Sequence, residues 1–234
     1  MWKILRNNFK EIYLFSVLIA MVEVVKLLLF LVNSFAGMAF TLLATVIGFG
    51  WYWYVIKIYR GEQKPLNAFK ESFKSCGWVI ILDILRTIIT MLITFMVMIL
   101  ISLVFVIKEV SIPLIIFGGF VNCLINVKFV LSEFIYYDNR KASPINVIYD
   151  SILNTKKRYF KFFIPYILII VPTLLNFTDS IILTIVRMVW IVVFAPVYIL
   201  KMCEIYDKIS IKNVEVNDSL TIVAKTLDEA TDKY

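Results

Sequence analysis

Five charged side chains stand within or at the ends of apolar runs: Glu23, Lys26, Lys128, Glu133 and Arg187. A charge at the centre of a membrane helix costs about 2.5–3.5 kcal/mol on insertion scales, so each needs a partner or a reason. Arg187 lies far from either end of its run and requires a carboxylate or water. Glu23 and Glu133 are the acids available to it. Together with Asn122 and Asn126 on a neighbouring run, these residues can form a polar pathway or substrate site. They also admit a structural account. In that account Glu23 and Lys26 pair at i, i+3, Lys128 extends its stem toward the interface, and Arg187 makes one pairing or reaches the outer interface. The sequence leaves both open.

Other chemistry is poorly provided for. The chain contains no histidine, which removes the commonest general base and metal ligand. Cys76, Cys123 and Cys203 are isolated, without a C-x-x-C pair, and read as small apolar side chains. Three Tyr-Asp pairs, Tyr137-Asp138, Tyr149-Asp150 and Tyr206-Asp207, lack the G-x-G-D of intramembrane aspartyl proteases. There is no P-loop, no dinucleotide fingerprint and no metal-ligand cluster in the sequence. The expectation is a protein without enzymatic activity, cofactor or metal.

The elements that position these residues are membrane helices. Of the 234 residues, 61% are hydrophobic, against about 45–50% in a soluble domain. The excess falls in runs of about 20, the length that crosses roughly 30 Å of hydrocarbon. Six spans are expected, at 12–32, 37–58, 87–107, 112–134, 160–177 and 181–200. Trp51 to Tyr54 near the end of the second span fit an aromatic anchor at headgroup level, and Gly48 and Gly50 permit close helix contact. Asp83 and Arg86 read as an i, i+3 pair at the boundary of the third span, and Gly118-Gly119 as a place where the fourth bends or admits a neighbour. Domain organisation is a six-span unit over 1–207 and a polar tail over 208–234.

A short segment recurs between the spans. Pro65 to Ser75 returns as Pro144 to Asn154, with Pro, Asn and Ser identical at matching places. Leu66, Phe69 and Phe73, like Ile145, Ile148 and Ile152, fall at i, i+3, i+7 and form one apolar stripe. Pro65 and Pro144 stand at the first helical position, where the missing N–H costs nothing. Each copy reads as a helix lying in the headgroup plane, in a parallel pseudo-repeat of span, surface helix, span. Lys70, Lys74, Lys156, Lys157, Arg158 and Lys161 are the expected contacts to membrane lipids. The net charge of +7 follows the positive-inside bias and needs no nucleic acid partner. Cations gather at the amino terminus, the two surface helices and the tail, which puts both termini in the cytoplasm of a cell (plasma) membrane protein.

Three short stretches carry a resemblance: Arg60-Gly61-Glu62 after the second span, Asp138 to Pro144 with Ser151, and Ala195-Pro196-Val197-Tyr198 near the end of the sixth. Over roughly 10–207 the chain resembles an uncharacterised family of Gram-positive six-helix membrane proteins. That family is related to the membrane domain of glycerophosphodiester phosphodiesterases. The resemblance implies a fold and a membrane location, and brings no catalytic residue. Two functions are expected from the whole. One is a membrane-organising, export-associated or immunity-associated component that works with a protein partner or by self-association. The other is a transporter or channel for a small solute or lipid.

Overall fold

The computed structural model describes residues 2–104, 112–156, 158–174, 185–186 and 188–210. Among these the chain is helical throughout, with no strand. Its helices are α1 (Trp2–Asn7), α2 (Phe9–Val32), α3 (Ser34–Arg60), α4 (Asn67–Lys74), α5 (Cys76–Val104), α6 (Ile112–Asn126), α7 (Ser132–Asp138), α8 (Pro144–Lys156) and α9 (Tyr159–Leu174). A last helix, α10, covers Met188–Ser210. Among the described residues five stretches are long and apolar enough to cross a membrane: Phe9–Val32, Ser34–Arg60, Cys76–Leu103, Phe117–Asp138 and Met188–Ser210. The expected span at 160–177 corresponds to α9, whose described part is 16 residues long. Its end, the turn that follows, Arg187, Lys157 and residues 211–234 lie outside the described residues. Helix α10 continues through Lys208 to Ser210, which the sequence reading assigned to the tail.

Local chemistry sets the helix ends. Asn33 alone separates α2 from α3, and its Oδ1 accepts from the amides of Phe35 and Ala36 at 2.8 and 3.2 Å, capping α3. At the other end Gly61 is left-handed, with φ 69°. The Gly61 and Glu62 amides donate back to the Ile58 and Lys57 carbonyls at 3.2 and 2.9 Å, a Schellman closure. A Cβ at Gly61 meets no heavy atom within 4 Å, so the constraint there is backbone conformation alone. Gly61→Val is expected to cost about 1–2 kcal/mol, and Gly61→Asn less, measured by thermal unfolding in detergent.

The second proline places its helix as expected: Pro144 opens α8, and Ser143 Oγ accepts from the Asn146 amide at 3.3 Å. The first does not. Pro65 lies in a turn, and α4 starts two residues later because Leu66 occupies its cap position without a side-chain bond. The buried faces of α4 and α8 also differ from the expected stripe. Ala68 and Ser72, and at the matching places Val147 and Ser151, are fully buried, while Leu66, Phe73 and Ile145 stay exposed. Small residues face the bundle because the approach is close. A Cβ on Gly50 of α3 would come within 2.7 Å of the Phe69 ring and 2.8 Å of Ser72 Oγ on α4.

Packing is concentrated at one end of the bundle. Trp51, Trp53 and Tyr54 are at most 4% exposed and pack with Phe134, Tyr136, Phe162, Ile199 and Leu200. The expected headgroup anchor is therefore overturned for these rings: they point inward, where the ring polar atoms of Trp53 and Tyr54 find partners. Toward the other end, α2 and α5 present mostly exposed apolar side chains such as Leu31, Met91, Phe95 and Leu103. In a membrane those faces meet lipid tails.

In the fourth span the helix runs on through its glycines, and Gly118 admits a neighbour: a Cβ there would come within 3.1 Å of the Met98 side chain on α5. The span is interrupted by a 3-10 turn at Val127–Phe129, between α6 and α7. Such a turn breaks the regular i to i+4 ladder. The Lys128 carbonyl then accepts from Ser151 Oγ at 2.8 Å and Thr155 Oγ1 at 3.3 Å, both on α8. The side chains of α8 thus complete backbone bonding that the turn disrupts.

Candidate functional site

Two adjoining cavities lie between the spans, of about 230 and 180 Å³. Both are lined by Tyr52, Arg86 and Glu133. The larger extends to Glu23, Lys26, Thr45 and Asp83, and the smaller to Asn126, Tyr166 and Tyr198. Each exceeds several-fold the roughly 10–15 Å³ that one water requires. Together they form a polar chamber inside an apolar bundle.

The centre of the chamber is Arg86. Its position follows from α5, which is one continuous helix from Cys76, so Arg86 lies about 15 Å along it at 1.5 Å per residue. The helix thus starts well before Thr87, and Asp83 and Arg86 lie within it rather than ahead of it. Arg86 Nη2 donates to Asp83 Oδ1 at 2.9 Å, and Nη1 pairs with Glu133 Oε1. Thr45 Oγ1 from α3 donates to the second Asp83 oxygen at 3.3 Å. Ser132 Oγ shares its proton between the Phe129 carbonyl at 2.7 Å and the second Glu133 oxygen at 3.1 Å. Trp53 Nε1 donates to the Glu133 carbonyl at 3.3 Å. One guanidinium thus draws α3, α5 and α7 together, with each carboxylate partly satisfied by a hydroxyl as well. Charge-assisted bonds of this kind are about twice as strong as neutral ones.

The sequence-selected residues fall around this centre in different ways. Glu23 and Lys26 pair with each other and line the larger cavity. Glu133 is a partner of Arg86. Asn126 Nδ2 donates to Asn122 Oδ1 at 2.7 Å, and Thr90 Oγ1 reaches Asn126 Oδ1 at 3.5 Å. Lys128 takes no part in the chamber, and its Nζ sits 4.8 Å over the Tyr159 ring. Arg187 lies outside the described residues. Asp83 and Arg86 were visible as a pair but not as the centre. Their spacing to Thr90, one turn further on, is the signal that this face of α5 is polar well inside the helix.

A second ionic group closes the packed end. Arg60 makes two bonds to Asp138, at 2.5 and 3.3 Å, and one to Asp207 at 2.7 Å. It joins the ends of α3, α7 and α10. Beside it Glu71 of α4 accepts from Arg140 at 2.6 Å and Lys57 at 3.2 Å, and Tyr137 OH donates to Glu62 at 2.6 Å. Arg140 also lies 4.8 Å over the Trp53 ring. The aromatic-charged endings of the three spans therefore converge on one ionic joint. Among the described residues no group of three or more His, Cys, Asp or Glu side chains is arranged to hold a metal.

Burial would raise the Glu71 carboxyl, but hydrogen bonds and charges from Arg140 and Lys57 outweigh it and hold the group below its usual 4.5. A carboxylate depressed on folding stabilises above its unfolded pKa, and that contribution is lost as pH falls through the folded pKa. Acidification below about pH 4.5 is expected to loosen α4 from the joint, read as a change in tryptophan fluorescence. In Glu71→Gln that part of the profile is expected to flatten.

No protein family, curated protein or solved structure matches this chain.

Proposed function

We propose that this chain is a non-enzymatic, six-span protein of the cell membrane that serves as a membrane-organising or accessory component, working with a lipid or protein partner rather than turning over a substrate. One observation carries the reading: each of these cations of the bundle is already engaged by one or two carboxylates of the same chain. Arg86 is held by Asp83 and Glu133, Lys26 by Glu23, and Arg60 by Asp138 and Asp207. Charged groups already engaged in this way act as joints between helices.

The finer architecture belongs to the same proposal. Equivalent burial of Ala68 with Val147 and of Ser72 with Ser151 supports a parallel pseudo-repeat. Exposed Leu66, Phe73 and Ile145 beside exposed Lys70 and Lys74 support helices lying at the lipid interface. The cation distribution supports cytoplasmic termini.

The chamber favours a second reading, passage of a small polar solute past Tyr52, Asn126, Tyr166 and Tyr198. A strain lacking the chain, complemented with Asp83→Asn, Arg86→Met, Glu133→Gln together, separates the two. The organising role predicts recovery of the wild-type growth and membrane-permeability profile. Failure to complement at wild-type abundance in the membrane would show that the chamber charges do more than join helices.

A further inference from the structure

A groove of about 540 Å³ opens between the start of α9 and the end of α10. Arg158, Lys161, Lys201 and Lys208 line it, against one acid, Glu204. Glu204 accepts from Lys201 at 2.9 Å and Lys208 at 2.8 Å. Four cations and one carboxylate leave three positive charges on the groove. Among the described residues no acid pairs with Arg158 or Lys161, so the unmatched charge is on the α9 side.

Other lining residues are apolar: Ile164, Pro165, Ile205 and Ile209. Ile164 stands exposed, as does Phe160 nearby on α9. Cations at the helix ends and exposed apolar side chains directly beside them match the two parts of a lipid, phosphate and acyl chain. A freely dissolved phosphate has no use for the second part. Basic pockets between membrane helices on the cytoplasmic side are suited to acidic headgroups.

We propose that the groove between α9 and α10 is a binding site for the phosphodiester headgroup of an acidic glycerophospholipid, with Arg158 and Lys161 as its principal phosphate contacts. Glu204 sets its strength by occupying Lys201 and Lys208. The proposal deepens the membrane-organising reading and rests on the membrane placement of α9 and α10. It stands or falls separately from the role of the chamber, because it shares no residue with it.

The test is titration of the detergent-purified full chain with phosphatidylglycerol or phosphatidylcholine, followed by native mass spectrometry. Phosphatidylglycerol is expected to bind more tightly. Arg158→Gln with Lys161→Gln is expected to weaken it roughly thirty-fold, from about 1 kcal/mol per cation, without changing phosphatidylcholine binding. Glu204→Gln is expected to strengthen it about five-fold on the same scale, and this arm remains informative if the double variant does not fold. Equal binding of the two lipids, or an unchanged preference in both variants, overturns the site. Competition by short-chain phosphatidylglycerol but not by inorganic phosphate supports a lipid ligand, and equal competition by inorganic phosphate overturns that assignment.

Discussion

Arg86→Leu is expected to cost about 3–5 kcal/mol of stability, the usual consequence of removing one member of a buried ion pair. The loss comes less from the missing attraction than from what is left behind. Asp83 and Glu133 remain inside the bundle with only Thr45 and Ser132 hydroxyls for partners. Neutralising the whole group removes that penalty. The triple variant Asp83→Asn, Arg86→Met, Glu133→Gln is therefore expected to recover most of the loss, since apolar or neutral replacements of a complete buried pair are often tolerated. Unfolding in mixed micelles, monitored by tryptophan fluorescence, gives both values. A triple variant no more stable than Arg86→Leu would contradict this account of the joint.

The second large effect concerns the contact of α4 with α3. Gly50→Leu is expected to destabilise by about 1–3 kcal/mol through overpacking and to release α4 from the bundle. The side chain would meet the Phe69 ring, Ser72 Oγ and, at 3.2 Å, the Phe69 Cα, which cannot rotate away. Gly50→Ala is a milder case. Its Cβ makes the same three contacts, so the Phe69 ring and Ser72 hydroxyl must shift, but it places nothing beyond them and gains roughly 0.5–1 kcal/mol over glycine within a helix in partial compensation. Amide hydrogen exchange over α4 reports the release: protection is expected to fall in Gly50→Leu and to persist in Gly50→Ala.

Both effects show which features the sequence displayed and which it concealed. The helical class and the long apolar runs were legible, because twenty-residue runs of Ile, Leu, Val and Phe have few alternatives. The spacing of Glu23 and Lys26 announced their pairing. The depth of Arg86 did not show, because Asp83 and Arg86 interrupt the apolar pattern near Cys76 and imitate the start of a span. Only the continuity of α5 and its contact with Glu133 of α7 set them on the cavity between the helices. The inward direction of Trp51 and Trp53 was hidden for a related reason. An aromatic ring with a polar tip suits an interface and equally suits a packed end rich in carbonyls and charges, and for Trp53 the Glu133 carbonyl and Arg140 decide for the second. Trp51 is instead held by packing, its Nε1 buried without a hydrogen-bond partner among the described residues. The 3-10 turn at Val127–Phe129 has no glycine or proline to signal it, since its disrupted bonding is completed from α8.

The convergence of Arg60, Asp138 and Asp207 was half legible. Three spans ending in aromatic-charged clusters suggested repetition, and only the fold brings those ends within bonding distance of one another. The joint and the chamber together describe a bundle fastened by ions at its packed end and again within its interior. The groove between α9 and α10 adds a set of cations with less acid to match them.

The measurement that tests the organising role most directly is native mass spectrometry of the chain released from its own membrane in mild detergent. The account predicts a mass equal to the chain with a protein partner or acidic phospholipid at fixed stoichiometry, unchanged by the chamber-neutral triple variant. A chain without either, retaining a small polar molecule that the triple variant loses, would contradict it and make solute handling the function of the chamber.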